Sequence, residues 1–224
     1  MIQPVTVKIC GLTTESVVEA AVEAGADYVG FVLVESSPRH VDFDRAQTLI
    51  RLAAERGAEP WVVAGFSASD SPGISLLERL VRTTPEIAAV QLHGKETPDD
   101  VAVFAKRYPI VPIVKALGIA TRADLKRVED YTAADAFLLD AKPPAGAARE
   151  GGFGHAFDWS IVKGFRTADH EDWTLSGGLT PENVADAIRI SGAHAVDVSS
   201  GVESAPGVKD VAKIRAFIAA AKGA

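Results

Sequence analysis

Short runs rich in Val, Ile and Phe alternate with longer amphipathic stretches from one end of the chain to the other. The apolar runs are Val5–Ile9, Tyr28–Leu33, Trp61–Phe66, Ile87–Leu92, Ile110–Ala116, Ala136–Leu139, Trp173–Leu175 and Ala195–Val198. Each ends in turn or polar residues, the signature of a β-strand. Between them, the stretch from Ser16 to Ala24 follows Thr14 and stops at Gly25, and a run opened by Asp42 closes at Gly57, which predicts helices with a terminal glycine. Thr97-Pro98-Asp99-Asp100 and Thr180-Pro181-Glu182-Asn183 each read as a cap, a proline at the first helical position and acids in the first turn. A last helix is predicted from about Val208 to Ala221.

Alternating β and α predicts a parallel sheet covered by helices. Eight such units in 224 residues predict a single-domain (β/α)8 barrel of the TIM type over residues 1–224, with an open doubly wound sheet as the alternative. Reading the strands with period two sharpens this. Val5, Val7 and Ile9 share one face of the first strand, and Lys8 and Cys10 the other. Val90 and Leu92 oppose Gln91 and His93, Phe137 and Leu139 oppose Leu138 and Asp140, and Val196 and Val198 oppose Asp197 and Ser199. Parallel strands are buried on both faces, so polar sets at four strand ends imply convergence inside the C-terminal mouth, where this fold carries its active sites.

Charge narrows the chemistry. A formal net charge of -7 and a pI of about 5.3 argue against a nucleic-acid footprint, and an anionic small molecule would need local donors. One cysteine excludes an intrachain disulfide and a Cys-rich zinc site. Neither a secretory signal nor a bilayer-spanning apolar run is present, so a cytoplasmic location without a membrane partner is expected.

Ser176-Gly177-Gly178 follows the seventh strand and Ser199-Ser200-Gly201 the eighth. Adjacent Gly-rich loops at these two positions suit a phosphate held by backbone N–H groups. The long segment from Asp140 to Phe157 is expected to act as a lid over the mouth. Cys10 and Asp140, both inward at strand ends, suggest a proton-transfer pair, with Lys8 beside the thiol favouring thiolate. Each also has a plainer reading, Cys10 as a small core residue and Asp140 as a loop cap. His93 is expected to be hydrogen-bonded within the site, and the histidines show no metal spacing. Lys115 is expected to pair with Asp197 or a neighbouring acid. The planar fork of Arg39, just beyond the second strand, suits a substrate carboxylate.

Taken together these residues resemble the phosphoribosylanthranilate isomerase family of tryptophan biosynthesis, nearly end to end. The resemblance rests on Lys8-Ile9-Cys10-Gly11-Leu12-Thr13, Ser37-Pro38-Arg39, Val90-Gln91-Leu92-His93-Gly94, Leu138-Leu139-Asp140, Gly151-Gly152-Phe153-Gly154, Gly177-Gly178-Leu179-Thr180 and Asp197-Val198-Ser199-Ser200-Gly201-Val202-Glu203. It implies an Amadori rearrangement of N-(5-phosphoribosyl)anthranilate, a small-molecule substrate, without metal or cofactor. The positions matching the family's general base and general acid are Cys10 and Asp140. Arg39 would hold the anthranilate carboxylate, and His93 and Asp197 would complete the substrate site. Phosphate would rest on backbone N–H groups around Gly152, Gly154, Gly178, Ser200 and Gly201. Phe153 stands where the family usually has a hydroxyl residue, which leaves backbone donors there. A metal-dependent epimerase would want more inward histidines, a histidine-pathway isomerase paired aspartates without the cysteine, and a non-catalytic phosphosugar sensor neither Cys10 nor Asp140. The oligomeric state is not encoded in any of these features.

Overall fold

The computed structural model describes residues 5–66, 71–141, 158–166 and 173–224. Eight parallel strands close into a barrel in chain order: β1 (Thr6–Cys10), β2 (Tyr28–Val32), β3 (Glu59–Ala64), β4 (Ala89–Leu92), β5 (Ile113–Ile119), β6 (Ala136–Ala141), β7 (Trp173–Leu175) and β8 (Ala195–Val198). Closure falls between β1 and β8, where Lys8 lies opposite Asp197. The open-sheet alternative is thereby excluded.

Among the described residues six α-helices cover the sheet: α1 (Glu15–Glu23), α2 (Phe43–Glu55), α3 (Ser71–Thr83), α4 (Pro98–Arg107), α5 (Val184–Ser191) and α6 (Val211–Lys222). The fifth and sixth units carry 3₁₀ helices instead, Arg122–Asp130 and Trp159–Val162. In the first of these only Leu125 and Val128 are buried, three residues apart, which matches a turn of three residues better than a 3.6-residue stripe. Asp42 caps α2 by accepting from the Arg45 amide, and Thr97 and Asp100 form a reciprocal capping box on α4.

Three expectations change. Strand β5 begins at Ile113, and Ile110, 91% exposed, lies outside it. Thr180 does not cap a helix. Asn183 accepts from the Thr180 amide and donates to the Gly178 carbonyl, folding 180–183 into a turn, and α5 starts at Val184. The last helix starts at Val211 because Val208–Lys209 (β10) pairs antiparallel with Glu203–Ala205 (β9), and Asp210 then caps α6.

Side-chain alternation sorts the strands into two shells. Val7, Ile9, Val90, Leu92, Phe137, Leu139, Val196 and Val198 face outward into the main core shared with the helices. Inside, Trp61, Ala89, Val114, Ala116 and Leu138 plug the lower barrel, with the Tyr28 ring 4.8 Å from that of Trp61. The polar inward residues lie above this plug.

Lys115 has the same register as outward Leu92 and Phe137, so it points away from Asp197. Its Nζ donates to Glu96 Oε2 at 2.8 Å and to the carbonyls of Leu92 and Gly94. Glu96 in turn accepts from the amides of Phe66 and Gly94. This buried pair pins the loops after β3 and β4 together. Losing one partner leaves an uncompensated charge in the interior, so Lys115→Met is expected to lower the unfolding free energy by about 3 to 5 kcal/mol. Urea denaturation should show this as a lower midpoint at unchanged slope.

Candidate active site

The polar residues above the plug form one connected set. Lys8, fully buried, donates from Nζ to Asp197 Oδ1 at 2.9 Å and to Gln91 Oε1 at 2.8 Å. Burial disfavours its ammonium, but the Asp197 carboxylate and the neighbouring Cys10 together outweigh this, and its pKa stands above the ordinary lysine value. Ser176, at the end of β7, donates to the other oxygen of Asp197 at 3.1 Å. Gln91 Nε2 lies 3.0 Å from His93 Nδ1, and His93 Nε2 lies 3.3 Å from Asp140 Oδ2. The second oxygen of Asp140 accepts from the Ala141 amide at 2.8 Å.

Cys10 and Asp140 each abut a glycine of a neighbouring unit. A Cβ on Gly30 in β2 would sit 2.8 Å from Cys10 Sγ, and one on Gly177 would sit 2.7 Å from Asp140 Oδ1 and 2.3 Å from the Ala141 nitrogen. Gly177 also has a φ of 88°, open to glycine at no steric cost. Both side chains thus occupy room that any larger residue at the glycine would take.

The thiol departs from expectation. Burial raises the Cys10 pKa, and Lys8 and Lys209 offset that only in part. Lys8 still favours the thiolate, but its charge is shared with Asp197 while the sulfur is out of water, so burial prevails.

Arg39 is buried rather than solvated. Its Nε and Nη2 donate to Glu203 Oε1 and Oε2 at 2.7 and 2.8 Å. Lys209 Nζ also donates to Glu203, at 2.8 Å, and to the carbonyl and hydroxyl of Ser199. Ser199 Oγ then donates to the Cys10 carbonyl at 3.1 Å. Burial opposes the Glu203 carboxylate, but the two cations prevail and its pKa lies below the ordinary value. For Lys209 burial wins, and its pKa is lowered despite Glu203.

The loops after β7 and β8 meet where Gly201 packs against the Leu179 carbonyl. Among the described residues no carbonyl or side chain accepts from the amides of Gly178, Ser200 or Gly201. Gly152, Gly154, Phe153 and the expected lid lie outside the described residues. Within the described residues no cluster of three or more His, Cys, Asp or Glu is placed to hold a metal, and no helix is long and apolar enough to cross a membrane.

The sequence profile described as N-(5'phosphoribosyl)anthranilate (PRA) isomerase matches residues 7–220. The chain belongs to this family. A relative from Paramagnetospirillum magneticum named N-(5'-phosphoribosyl)anthranilate isomerase is 49% identical over 221 residues, covering 98% of each chain. The crystal structure of phosphoribosyl anthranilate isomerase from Thermotoga maritima is similar with a TM-score of 0.80 at 36% identity, over 98% of this chain and 100% of that one. A further solved member, in complex with reduced 1-(o-carboxyphenylamino)-1-deoxyribulose 5-phosphate, gives 0.77 at 33% identity over 98% of this chain and 100% of its own.

Against this family background, Cys10, His93, Asp140 and Asp197 lie together at the barrel mouth, and Arg39 joins them through Glu203 and Lys209. Sequence reasoning missed the roles of Lys8, Gln91, Ser176, Glu203 and Lys209 in this set. Gln91 carried a signal, its inward phase on the fourth strand, whereas Glu203 and Lys209 meet Arg39 only because of the β9–β10 hairpin.

The state of the thiol is directly testable, since the chain has one cysteine. Alkylation of the free enzyme by iodoacetamide should keep accelerating above pH 9.0, the ordinary thiol value from which burial raises Cys10. A rate plateau near neutrality would instead mean a preformed thiolate.

Proposed function

We propose that this chain rearranges N-(5'-phosphoribosyl)anthranilate to the 1-deoxyribulose 5-phosphate product, with Asp140 as general acid and Cys10 as general base. The observation that carries the assignment is the placing of one carboxyl and one thiol at inward strand ends of a barrel whose family is that isomerase's. Asp140 gives its proton to the ribose ring oxygen. The C1'–O bond breaks as the anthranilate nitrogen supplies its lone pair to form a C=N iminium. Cys10 then takes the acidified C2' proton, and the released electron pair makes the enol-amine. Loss of the enol proton and protonation at C1' give the ketone.

The acid–base pair needs a single proton between its two members. It sits on Asp140 at the start and on Cys10 after the second step, and exchange with solvent returns it.

Arg39 can serve the substrate carboxylate without releasing Glu203. A guanidinium carries five N–H groups; Glu203 takes the Nε–H and one on Nη2, leaving the Nη1 edge for a second carboxylate. The phosphate goes to the amides of Gly178, Ser200 and Gly201, with Gly152 and Gly154 as further donors. His93 and Asp197 border the sugar. The reaction calls for neither metal nor cofactor.

Asp140→Asn keeps shape but cannot deliver a proton, so kcat should fall by about 10² to 10⁴ with binding retained. Cys10→Ser should open the ring yet stall before deprotonation, accumulating a species that borohydride traps and that Asp140→Asn never shows. Near wild-type kcat in Cys10→Ala would make the thiol a packing residue. A bulky side chain at Gly178 should raise KM and weaken competitive inhibition by inorganic phosphate. An unchanged KM there would remove these loops from the phosphate site.

A further inference from the structure

A single file of polar groups crosses the barrel from β8 to β6: Asp197, Lys8, Gln91 and His93 are joined by contacts of 2.9, 2.8 and 3.0 Å, and His93 Nε2 then approaches Asp140 Oδ2 to 3.3 Å. The direction of each bond follows from the one group whose role is fixed. Lys8 is an ammonium with three donors and no acceptor, kept charged by Asp197. Only the oxygen of the Gln91 amide can face it. The NH2 end of that amide then points at His93 Nδ1, which must accept and so carries no proton. The ring proton of His93 is left on Nε2, facing Asp140 Oδ2.

We infer that Lys8, acting through Gln91, locks His93 in its neutral Nε2–H tautomer and makes it a dedicated hydrogen-bond donor to Asp140. Gln91 and Lys8 are positioning residues: they act on the acid through His93.

The lock is two-sided. A proton on Nδ1 would oppose the Gln91 NH2 group, and turning the amide over would oppose that group to the Lys8 ammonium. Either change breaks the file, so the orientation of the ring is set by its neighbours. What it supplies is a fixed dipole. Its Nε2–H and the Ala141 amide reach the two oxygens of Asp140, so both are solvated by preset donors when negative charge develops there. At 3.3 Å the His93 ring faces Asp140 without an aligned hydrogen bond, a contact of the kind that tightens when substrate binds.

The consequence for catalysis rests on Asp140 being the acid, but the tautomer does not, and the experiment separates the two. Uniformly ¹⁵N-histidine-labelled full-length protein is examined by long-range ¹H–¹⁵N correlation at neutral pH. Of the five histidines, His93 is identified by the signals lost in His93→Asn. The expected pattern is an unprotonated Nδ1 and a protonated Nε2. A protonated Nδ1, or an averaged pair of nitrogens, overturns the proposal, and this reading needs no variant of the lock itself.

In Gln91→Glu the amide donor becomes an acceptor, so Nδ1 should gain a proton at the same pH. Activity should fall about 10- to 100-fold in kcat with KM little changed. An unaltered ¹⁵N pattern in a folded Gln91→Glu protein overturns the role of Gln91. Should that variant not fold, Gln91→Met serves instead, and the fixed pattern should give way to averaged nitrogens. If Asp140→Asn keeps its kcat, the assignment of the acid fails while the wild-type spectrum still decides the lock.

Discussion

A lysine ammonium sealed inside a closed barrel is the constraint from which the polar interior follows. Lys8 is fully buried, and nothing in a β-barrel interior offers it backbone carbonyls, because those are spent in the ladders between strands. Side chains must supply all its partners. Asp197 supplies the opposite charge from the adjoining strand and Gln91 a carbonyl oxygen from across the barrel, while the Trp61 ring lies 5.2 Å below. A charge paired this closely inside the protein is a poor source of stability compared with an apolar pair. Its value lies in direction, since a donor-only group at the centre dictates which way every amide and imidazole around it must turn.

A second cationic knot stands beside the first. Glu203 binds Arg39 through both oxygens and shares one of them, Oε1, with Lys209, and Lys209 reaches back to Ser199 and so to the Cys10 carbonyl. Carboxylate and cations are all withdrawn from water here, which explains why Glu203 holds its charge while Lys209 has difficulty holding its own. The hairpin that brings Lys209 into place is an addition to the plain strand–helix unit. It also tethers the arginine proposed for substrate to the strand end that carries the proposed phosphate site.

Much of this was legible along the chain because a parallel barrel reads as a strict alternation. Lys8, Cys10, Gln91, His93, Asp140 and Asp197 could be assigned inward by counting in twos from apolar neighbours. What counting cannot supply is height and pairing across the barrel. Lys8 acts on the neighbouring thiol as its phase suggests, but it shares its charge with a residue 189 positions away that no count along one strand reveals. Lys115 sits one strand residue out of phase with the interior and serves the loops outside. Thr180-Pro181 looks like a helix start because cap and turn chemistry use the same residues, and only Asn183 bonding backward to Gly178 and Thr180 decides between them.

The join between β1 and β8 also bears on how the chain is made. The first strand leaves the ribosome with a lysine and a cysteine on its inner face, and the carboxylate that neutralises that lysine is translated 189 residues later. Until then a half-built barrel would have to shelter an uncompensated ammonium or leave it in water, so the growing chain has good reason to stay open at that seam. Sealing it is a long-range event that must pay the entropy of closing nearly the whole polypeptide into a ring. The central ion pair thus acts as a check for completeness: a truncated chain lacking the eighth strand cannot bury its first.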